Sequence, residues 1–337
     1  MSDLAGVPAE SVPGAQESVV AAQERQFLVV AHTGRDIVRE TMAVIAKRCA
    51  DAGIGLRVID HDIMATPPGP PYLGDVYPID LEELRDTGAD VAVTSAGEQS
   101  AVGCEVVIVL GGDGTFLRAA EIAHPLSVPV LGINLGHIGF LAEAEANRID
   151  EVMTKLVTRD YSIEDRMTLD ISIRVEGRVI AQTWALNEVS IQNLSRQGVL
   201  ELITEVDGRP VSAFGADGIL VSTPTGSTAY AFSAGGPVMW PDLEAILLVP
   251  SNAHALFARP MVTSPRSLVA VEVMARGQDA LVACDGRRNI EVPAGGRIEV
   301  VRGRKPVRWI RIDSDPFADR LVRKFELPVT GWRGRQT

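Results

Sequence analysis

The first 160 residues alternate between short apolar runs and stretches with helical spacing. Phe27 to Val30 is an apolar run that predicts a strand, and Leu56 to Asp60 predicts a second one. Between them, apolar residues every three to four positions from Val38 to Cys49 predict a helix that ends near Gly53. A third run, Val106 to Leu110, is apolar throughout, which is typical of a parallel strand covered on both faces.

The same alternation continues after this third run. We predict a helix from the segment GGDGT to about Ala123, a strand over Val128 to Ile133 and a helix over Arg148 to Thr158. This order predicts a doubly wound α/β domain over residues 27–160, with ligands expected where strands end and helices begin. The proline-rich segment Thr66 to Pro78 is predicted to be a loop.

From about Asp165 the hydrophobic period changes to two. Alternating apolar positions from Leu169 to Val175, followed by a turn at Glu176-Gly177, predict the first hairpin of an all-β domain over residues 161–313. The pattern therefore predicts the fold class α/β plus all-β. The later predicted strands are Val199 to Val206, Gly218 to Ser222, Leu268 to Met274, Ala280 to Cys284, Arg297 to Val301 and Val307 to Ile312.

The two ends of the chain differ from both domains. Residues 1–26 are rich in Ser, Ala, Pro, Gly, Glu and Gln and lack sustained periodicity, which predicts a disordered leader. Within residues 314–337, helical spacing from Phe317 to Phe325 predicts a helix, and we expect this tail to return to the first domain.

Composition excludes several classes of protein. The 337 residues contain no run near the roughly 20 apolar residues that span a bilayer and no secretory signal, so we expect a soluble protein. The three scattered cysteines indicate reduced thiols and a cytoplasmic location. A net charge of −12 argues against non-specific binding to nucleic acid or to a membrane surface, since both require a cationic face. Anionic substrates would need local binding by amides, arginines or a metal ion.

The strongest local signal is the segment GGDGT, which joins the buried run Val106 to Leu110 to a helix. Its glycines let the backbone approach a ligand, so Gly112, Gly114 and Thr115 are predicted to bind phosphate at the helix amino end. Asp113 could instead only cap the helix. A glycine-rich loop with an aspartate and no lysine suits phosphoryl transfer to an alcohol, in which Asp113 accepts the hydroxyl proton while amides and Mg²⁺ hold the phosphates.

Two further segments carry polar side chains in unexpected places. Asn187 and Glu188 lie side by side within a strand pattern, although both are poor strand residues, so they indicate a ligand contact or an exposed strand end. The run from Asp217 to Ser233 is dense in hydroxyls and small residues, and can offer hydrogen bonds to ribose and phosphate. Individual hydroxyls of such a run often serve only the local backbone.

Four segments, GGDGTFLRAA, NLGHIGFLAE, ALNEVSI and DGILVSTPTGSTAYAFSAGGP, in this order closely resemble the bacterial NAD kinase family, and the likeness extends from about Phe27 to the C-terminus. GGDGT alone also occurs in diacylglycerol and sphingosine kinases. The resemblance implies a Rossmann-like N-terminal domain followed by a β-sandwich-like C-terminal domain. It further implies phosphorylation of the adenosine-ribose 2′-hydroxyl of NAD, with ATP or polyphosphate as donor and Mg²⁺ or another divalent cation as cofactor.

The resemblance also implies residue roles. Asp113 is implied to be the general base and to contact ribose hydroxyls together with Glu188, while Asn187 reads the adenine edge. No side chain is assigned as a metal ligand, and His137 and His254 are not required as bases. The other implied pocket residues are Phe140, Leu141, Asp217, Thr228, Ala229, Tyr230 and Ser233.

The resemblance further implies a homo-oligomer, most often a tetramer. A neighbouring subunit is implied to contribute the region from Asn252 to His254, and the pair Asp285-Gly286 is a weaker match to the family. On the motifs alone, two other functions stay open. One is a lipid or sugar kinase with the same GGDGT loop, which should have an apolar acceptor pocket or a second phosphate clamp in place of Asn187-Glu188 and of Thr225 to Tyr230. The other is a dinucleotide-binding sensor without catalysis, which should carry degraded motifs.

Overall fold

The fold was analysed in a computed structural model that describes residues 25–32, 36–59, 80–97, 99–136, 139–195, 198–312 and 316–329. The predicted leader up to residue 24, the predicted loop Thr66 to Pro78 and His137 lie outside the described residues. The helices are α1 (Asp36–Asp51), α2 (Leu81–Asp86), α3 (Asp113–Ala123), α4 (Ile149–Thr158), α5 (Tyr230–Ser233) and α6 (Phe317–Phe325). In the part of the chain that the structure describes, no helix is long and apolar enough to cross a membrane.

Twenty strands are described. The first seven are β1 (Gln26–Ala31), β2 (Gly55–Ile59), β3 (Val91–Thr94), β4 (Val106–Leu110), β5 (Val130–Asn134), β6 (Ala144–Glu145) and β7 (Ser162–Arg166). The next seven are β8 (Leu169–Val175), β9 (Arg178–Ala185), β10 (Glu188–Asn193), β11 (Leu200–Val206), β12 (Arg209–Ala216), β13 (Gly218–Ser222) and β14 (Ile246–Ser251). The last six are β15 (Met261–Thr263), β16 (Val269–Val273), β17 (Ala280–Cys284), β18 (Arg288–Val292), β19 (Arg297–Arg302) and β20 (Val307–Arg311).

The amino-terminal sheet has the order β3-β2-β1-β4-β5-β20-β7, with β6 paired to β5. All its pairs are parallel except β20 with β7. The run Val106 to Leu110 is buried at every position, because helices cover both faces of this central strand. This topology confirms the predicted Rossmann-like α/β domain. It places the carboxyl end of β4, and therefore the GGDGT segment, at the edge where doubly wound sheets bind ligands.

The carboxyl-terminal half forms two six-stranded antiparallel sheets. Their orders are β15-β14-β13-β10-β17-β18 and β12-β11-β16-β19-β8-β9. Ile191 and Val221 of the first sheet share one buried core with Leu202 and Val271 of the second. The facing apolar sides of the two sheets thus pack together, which confirms the predicted β-sandwich-like domain.

The assignment of Val307 to Ile312 to the all-β domain was wrong. In the structure β20 joins the amino-terminal sheet, parallel to β5 and antiparallel to β7. Trp309 is 1% exposed and packs with Phe116 on one face, while Ile310 is fully buried in the core of the other face. Burial on both faces stabilises the strand in this sheet, and a short apolar run does not reveal which sheet will accept it.

The helix α6 lies across the junction between the two domains. The ring of Phe140, which follows β5 along the chain, lies 6.0 Å from that of Phe317 and 5.6 Å from that of Phe325. Phe325 also contacts Phe232 of α5, with ring centroids 4.5 Å apart, and Phe317 contacts Trp240 at 5.2 Å. Aromatic packing of this kind holds the tail against both domains next to the loop that contains Phe140.

Candidate active site

The side chain of Asp113 reaches out of its own helix toward the loop after β5. Gly112 is the N-cap of α3, and no side chain caps this helix. The Asp113 carboxylate instead accepts hydrogen bonds from the amides of Phe140 at 3.2 Å and Leu141 at 3.0 Å. The interpretation of Asp113 as a mere helix cap therefore fails. Its carboxylate is half-buried and held in one orientation at the carboxyl end of β4.

The glycines around Asp113 serve two different purposes. A Cβ placed on Gly139 would lie 2.2 Å from Oδ1 of Asp113, so the aspartate needs a glycine here. Gly112 and Gly114 have no neighbouring atom within 4 Å of a built Cβ, and both are exposed. Both residues lie at the start of α3, where the amides of a helix amino end can bind an anion. Thr115 is half-buried and packs against Gly111.

Asn187 and Glu188 lie at the start of β10 and are each only 6% exposed. Within the described residues, Oδ1 of Asn187 and Oε2 of Glu188 have no hydrogen-bond partner. A buried polar atom without a partner costs about 1–3 kcal/mol, so two adjacent ones indicate a place where a ligand supplies the donors. The alternative of an exposed strand end is wrong for this pair.

The protonation of Glu188 is shifted strongly. Burial, followed by the negative charge of Asp285, raises the pKa of its carboxyl group from 4.5 to about 8. A hydrogen bond from the backbone of Tyr230 acts the other way. A buried carboxyl group that is still mostly protonated at neutral pH is characteristic of functional positions.

The backbone around Asn187 and Glu188 is held by Asp285. Its carboxylate accepts from the amides of Leu186 at 3.0 Å, Asn187 at 2.7 Å and Glu188 at 3.4 Å. Asp285 has a φ of 52°, which Asp tolerates better than most residues because its side chain can bond locally. In the sequence, Asp285-Gly286 was noted only as a weak family match. The Asp-Gly dipeptide is typical of a positive-φ turn, and it was the sequence signal for the turn between β17 and β18.

Much of the hydroxyl-rich run supports the protein backbone. The hydroxyls of Ser222 and Thr223 donate to the carbonyls of Asn187 at 3.0 Å and Leu186 at 2.6 Å, and Ser227 donates to Pro224. These three buried hydroxyls therefore serve the local backbone, as expected for individual hydroxyls of such a run. Ser222 and Thr223 fix the segment against the backbone of Leu186 and Asn187. Thr228 and Ala229 are half-buried, and Tyr230 and Ser233 are exposed, so these four stay accessible.

Two cavities contain most of the remaining predicted residues. Phe140, Leu141 and Thr228 line a small cavity of about 30 Å³ between the domains and under α6. Asp217, Tyr230 and Asn252 line a second one of about 140 Å³. The two cavities are close along the chain, because Thr228 of the first lies two residues before Tyr230 of the second. The amide of Leu141 in the first cavity binds Asp113, and the amide of Tyr230 in the second contacts Glu188.

Asn252 belongs to the second cavity of its own chain. Its Nδ2 donates to Oδ2 of Asp217 at 2.7 Å, and its φ is 49°. His254 is exposed, and its amide donates to the carbonyl of Gly215 at 2.7 Å. His254 and Ser233 line neither of the two cavities.

The described residues contain no cluster of three or more His, Cys, Asp or Glu side chains arranged to hold a metal ion.

Comparison with protein families matches most of the chain. The model of the ATP-NAD kinase N-terminal domain matches residues 27–161, and that of the ATP-NAD kinase C-terminal domain matches residues 186–312. The "NAD kinase" of Rhodococcus jostii is 62% identical over 317 residues, which cover 93% of this chain and 97% of the relative. The "NAD kinase" of Mycobacterium leprae is 58% identical over 314 residues, which cover 93% of this chain and 98% of the relative.

Solved structures share the fold. Yeast NADH kinase, in a crystal structure with NADH, has a TM-score of 0.76 at 20% identity, with 94% of this chain and 91% of that chain covered. An NAD kinase from Archaeoglobus fulgidus in complex with ATP has a TM-score of 0.62 at 23% identity, with 89% and 98% covered. The family models and the close relatives agree with the motifs and the geometry: this chain belongs to the NAD kinase family.

Proposed function

We propose that this protein phosphorylates the adenosine-ribose 2′-hydroxyl of NAD to give NADP, with ATP or polyphosphate as the phosphoryl donor. The observation that carries the proposal is the pair of buried oxygens without partners on Asn187 and Glu188. The Asp113 carboxylate binds the amide of Leu141, which lines one cavity together with Thr228, and Glu188 contacts the amide of Tyr230 two residues further along. The homologous NAD kinases, at about 60% identity or more in several species, support the same acceptor.

The chemistry of the acceptor matches the two oxygens. Oδ1 of Asn187 is an acceptor that fits the amino group of adenine, and the Glu188 carboxylate fits the donating hydroxyls of a ribose. A diacylglycerol offers neither an amino group nor a diol at this depth. It would leave both oxygens buried without a donor, which disfavours the lipid-kinase alternative.

Asp113 is proposed to be the general base of the transfer. Its two amide bonds orient the carboxylate, and its free lone pairs can accept the proton of the 2′-hydroxyl as that oxygen bonds to the terminal phosphorus. The bond from this phosphorus to the bridging oxygen then breaks, and the shortened donor leaves. The accessible amides of Gly112 and Gly114 bind donor phosphates, and we propose that Mg²⁺ arrives bound to those phosphates, whose oxygens it prefers.

The direct test of this proposal is an acceptor comparison. Purified protein with Mg²⁺ and either ATP or polyphosphate is incubated with NAD, NADH or diacylglycerol in turn. We expect a phosphorylated dinucleotide that an NADP-specific dehydrogenase recognises. Phosphate transfer to the lipid without transfer to NAD or NADH would instead support the lipid-kinase alternative, and no transfer to any acceptor would support a sensor.

Replacing Asn187 with Ala is expected to raise the KM for NAD by about tenfold, because the adenine amino group loses its acceptor. The KM for the donor should change much less. Steady-state kinetics with each substrate varied separately measures both constants. A change confined to the donor KM would mean that the pair has been assigned to the wrong substrate.

NAD binding is expected to depend on pH through Glu188. Ribose hydroxyls donate to an ionised carboxylate, so NAD favours the form that exists above the raised pKa of about 8. Affinity should therefore rise by up to about tenfold per pH unit below pH 8 and level off above it. Calorimetric titration from about pH 6 to about pH 9 measures this. Glu188→Gln should remove this pH dependence. If the Glu188→Gln protein keeps the wild-type pH profile, another group causes the dependence.

We also propose that the active protein is a cytoplasmic homo-oligomer, with a tetramer as the expected form. The loop after β14 exposes Leu256 and Phe257, the latter at 56%, next to Asn252 of the second cavity. Exposed apolar residues beside a ligand cavity are typical of a subunit interface, and point-group symmetry lets identical copies complete each other's sites.

Specific activity is accordingly expected to fall on dilution through the dissociation constant of the assembly. A protein with Asp113→Asn mixed with one altered at His254 should regain part of the activity through hybrid oligomers. Sedimentation velocity at assay concentration gives the size of the active species. A fully active monomer there would contradict the oligomeric site.

A further inference from the structure

Asp285, which holds the Asn187-Glu188 backbone, has its own cationic partner. Nη2 of Arg288 donates to Oδ2 of Asp285 at 2.8 Å, and the Asp285 side chain is only 2% exposed. A buried carboxylate that serves three amides is stable in its charged form when a cation lies beside it. Arg288 therefore supports the conformation of the acceptor-binding pair through Asp285.

The same arginine contacts the helix that begins with Asp113. Its Nη1 lies 2.9 Å from Oε1 of Glu121, and both side chains are 24% exposed. The two atoms form an ion pair without hydrogen-bond alignment. Glu121 is on α3, eight residues or about 12 Å along the helix axis from Asp113. One guanidinium thus touches both the helix of the base and the turn that holds the acceptor pair.

A ring contact holds this arginine in place. The Arg288 guanidinium carbon lies 4.7 Å from the ring centroid of Trp184 in β9, and Nη2 also donates to the Trp184 carbonyl at 2.7 Å. Trp184 in turn stacks on His124, directly after α3, with ring centroids 3.8 Å apart. The end of α3 therefore meets the second domain at two neighbouring contacts, the ion pair of Glu121 with Arg288 and the stack of His124 on Trp184. Arg288 forms the first contact and packs against Trp184 of the second.

We propose that Arg288 is a positioning residue that couples the helix carrying Asp113 to the Asn187-Glu188 pair through Asp285. The coupling fixes the distance between the base and the acceptor hydroxyl, which is the quantity that phosphoryl transfer depends on most. This inference rests on the proposed function, since it assigns the acceptor to Asn187 and Glu188.

The kinetic test uses Arg288→Met, Glu121→Gln and the double variant. Methionine keeps apolar contact with Trp184 and removes the charge. We expect kcat/KM for NAD to fall by about tenfold in Arg288→Met and about threefold in Glu121→Gln, with part of each loss in kcat. The double variant should be little worse than Arg288→Met alone, because the ion pair between Glu121 and Arg288 is already lost and Glu121 keeps only its longer pair with Arg287, at 3.4 Å. The matched control is Arg174→Met, which removes an exposed pair with Glu299 near the far end of the β8–β9 hairpin.

Normal kcat and KM in Arg288→Met, or losses that multiply in the double variant, would overturn the coupling. If Arg288→Met does not fold, Glu121→Gln still breaks the contact from the other domain and has to show its own loss in kcat. Wild-type protein in the same assay separates the two claims, since failure of wild type to phosphorylate NAD refutes the proposed function and not the coupling.

A second measurement tests the coupling without any activity. Hydrogen exchange followed by mass spectrometry reports on the amides of residues 186–188, which Asp285 holds. We expect exchange there to be about tenfold faster in Arg288→Met and detectably faster in Glu121→Gln, with no change in Arg174→Met. Unchanged exchange in both site variants would show that Arg288 does not hold this segment.

Discussion

Replacing Asp113 with Asn is expected to lower kcat by about 100-fold or more while NAD still binds. Asparagine can keep one hydrogen bond to the loop amides of Phe140 and Leu141, so the loop should retain its place. It cannot accept the hydroxyl proton, which moves in the transition state and contributes little to the bound ground state. Turnover in steady state and the NAD dissociation constant from calorimetry have to be measured separately.

The matched control for this substitution is Asp86→Asn. Asp86 is an exposed aspartate of α2, the helix that precedes the edge strand β3. It should leave both constants unchanged. A near-normal kcat for Asp113→Asn would remove Asp113 from the role of base. A loss of NAD binding in proportion to kcat would assign Asp113 to holding the dinucleotide.

Replacing Gly139 with Ala is expected to have the second largest effect, a loss of about 100-fold in kcat. The new Cβ would lie 2.2 Å from Oδ1 of Asp113, so the carboxylate has to move away from its two amide donors. A displacement of about 1 Å at a catalytic group is enough for a loss of this size. Because the clash is with the end of a side chain, thermal unfolding should stay close to that of wild type.

Gly97→Ala is the control for the Gly139 variant, since a Cβ at Gly97 meets no atom within 4 Å and the residue is exposed. It should be fully active. If Gly139→Ala turns over normally, the amides of Phe140 and Leu141 are not what places Asp113. If its melting temperature falls with its activity, the glycine serves the fold and not the base.

The sequence predicted the parts of the molecule whose signals are local. The apolar run Val106 to Leu110 predicted a strand covered on both faces, and a glycine-rich turn before a helix placed Asp113 at its carboxyl end. The short edge strand β3 and the six-residue helix α2 were not predicted, because each contains too few apolar residues for a clear period.

Contacts between distant segments could not be read from the chain. The strand β20 has an ordinary strand pattern, and only burial of Trp309 and Ile310 on opposite faces of the first sheet explains its place. The hydrogen bond from the Asn187 amide to Asp285 joins residues 98 positions apart and depends on the geometry of the turn that contains Asp285. The sequence did not show which backbone groups the hydroxyls of Ser222 and Thr223 would bind, because their carbonyl partners lie in another segment.

A crystal structure of the protein with NAD tests the central claim most directly. The account predicts hydrogen bonds of about 3 Å from the adenine amino group to Oδ1 of Asn187 and from a ribose hydroxyl to the Glu188 carboxylate. The 2′-oxygen should then lie within hydrogen-bond distance of the Asp113 carboxylate. Adenine bound away from Asn187, with the 2′-oxygen out of reach of Asp113, would contradict it.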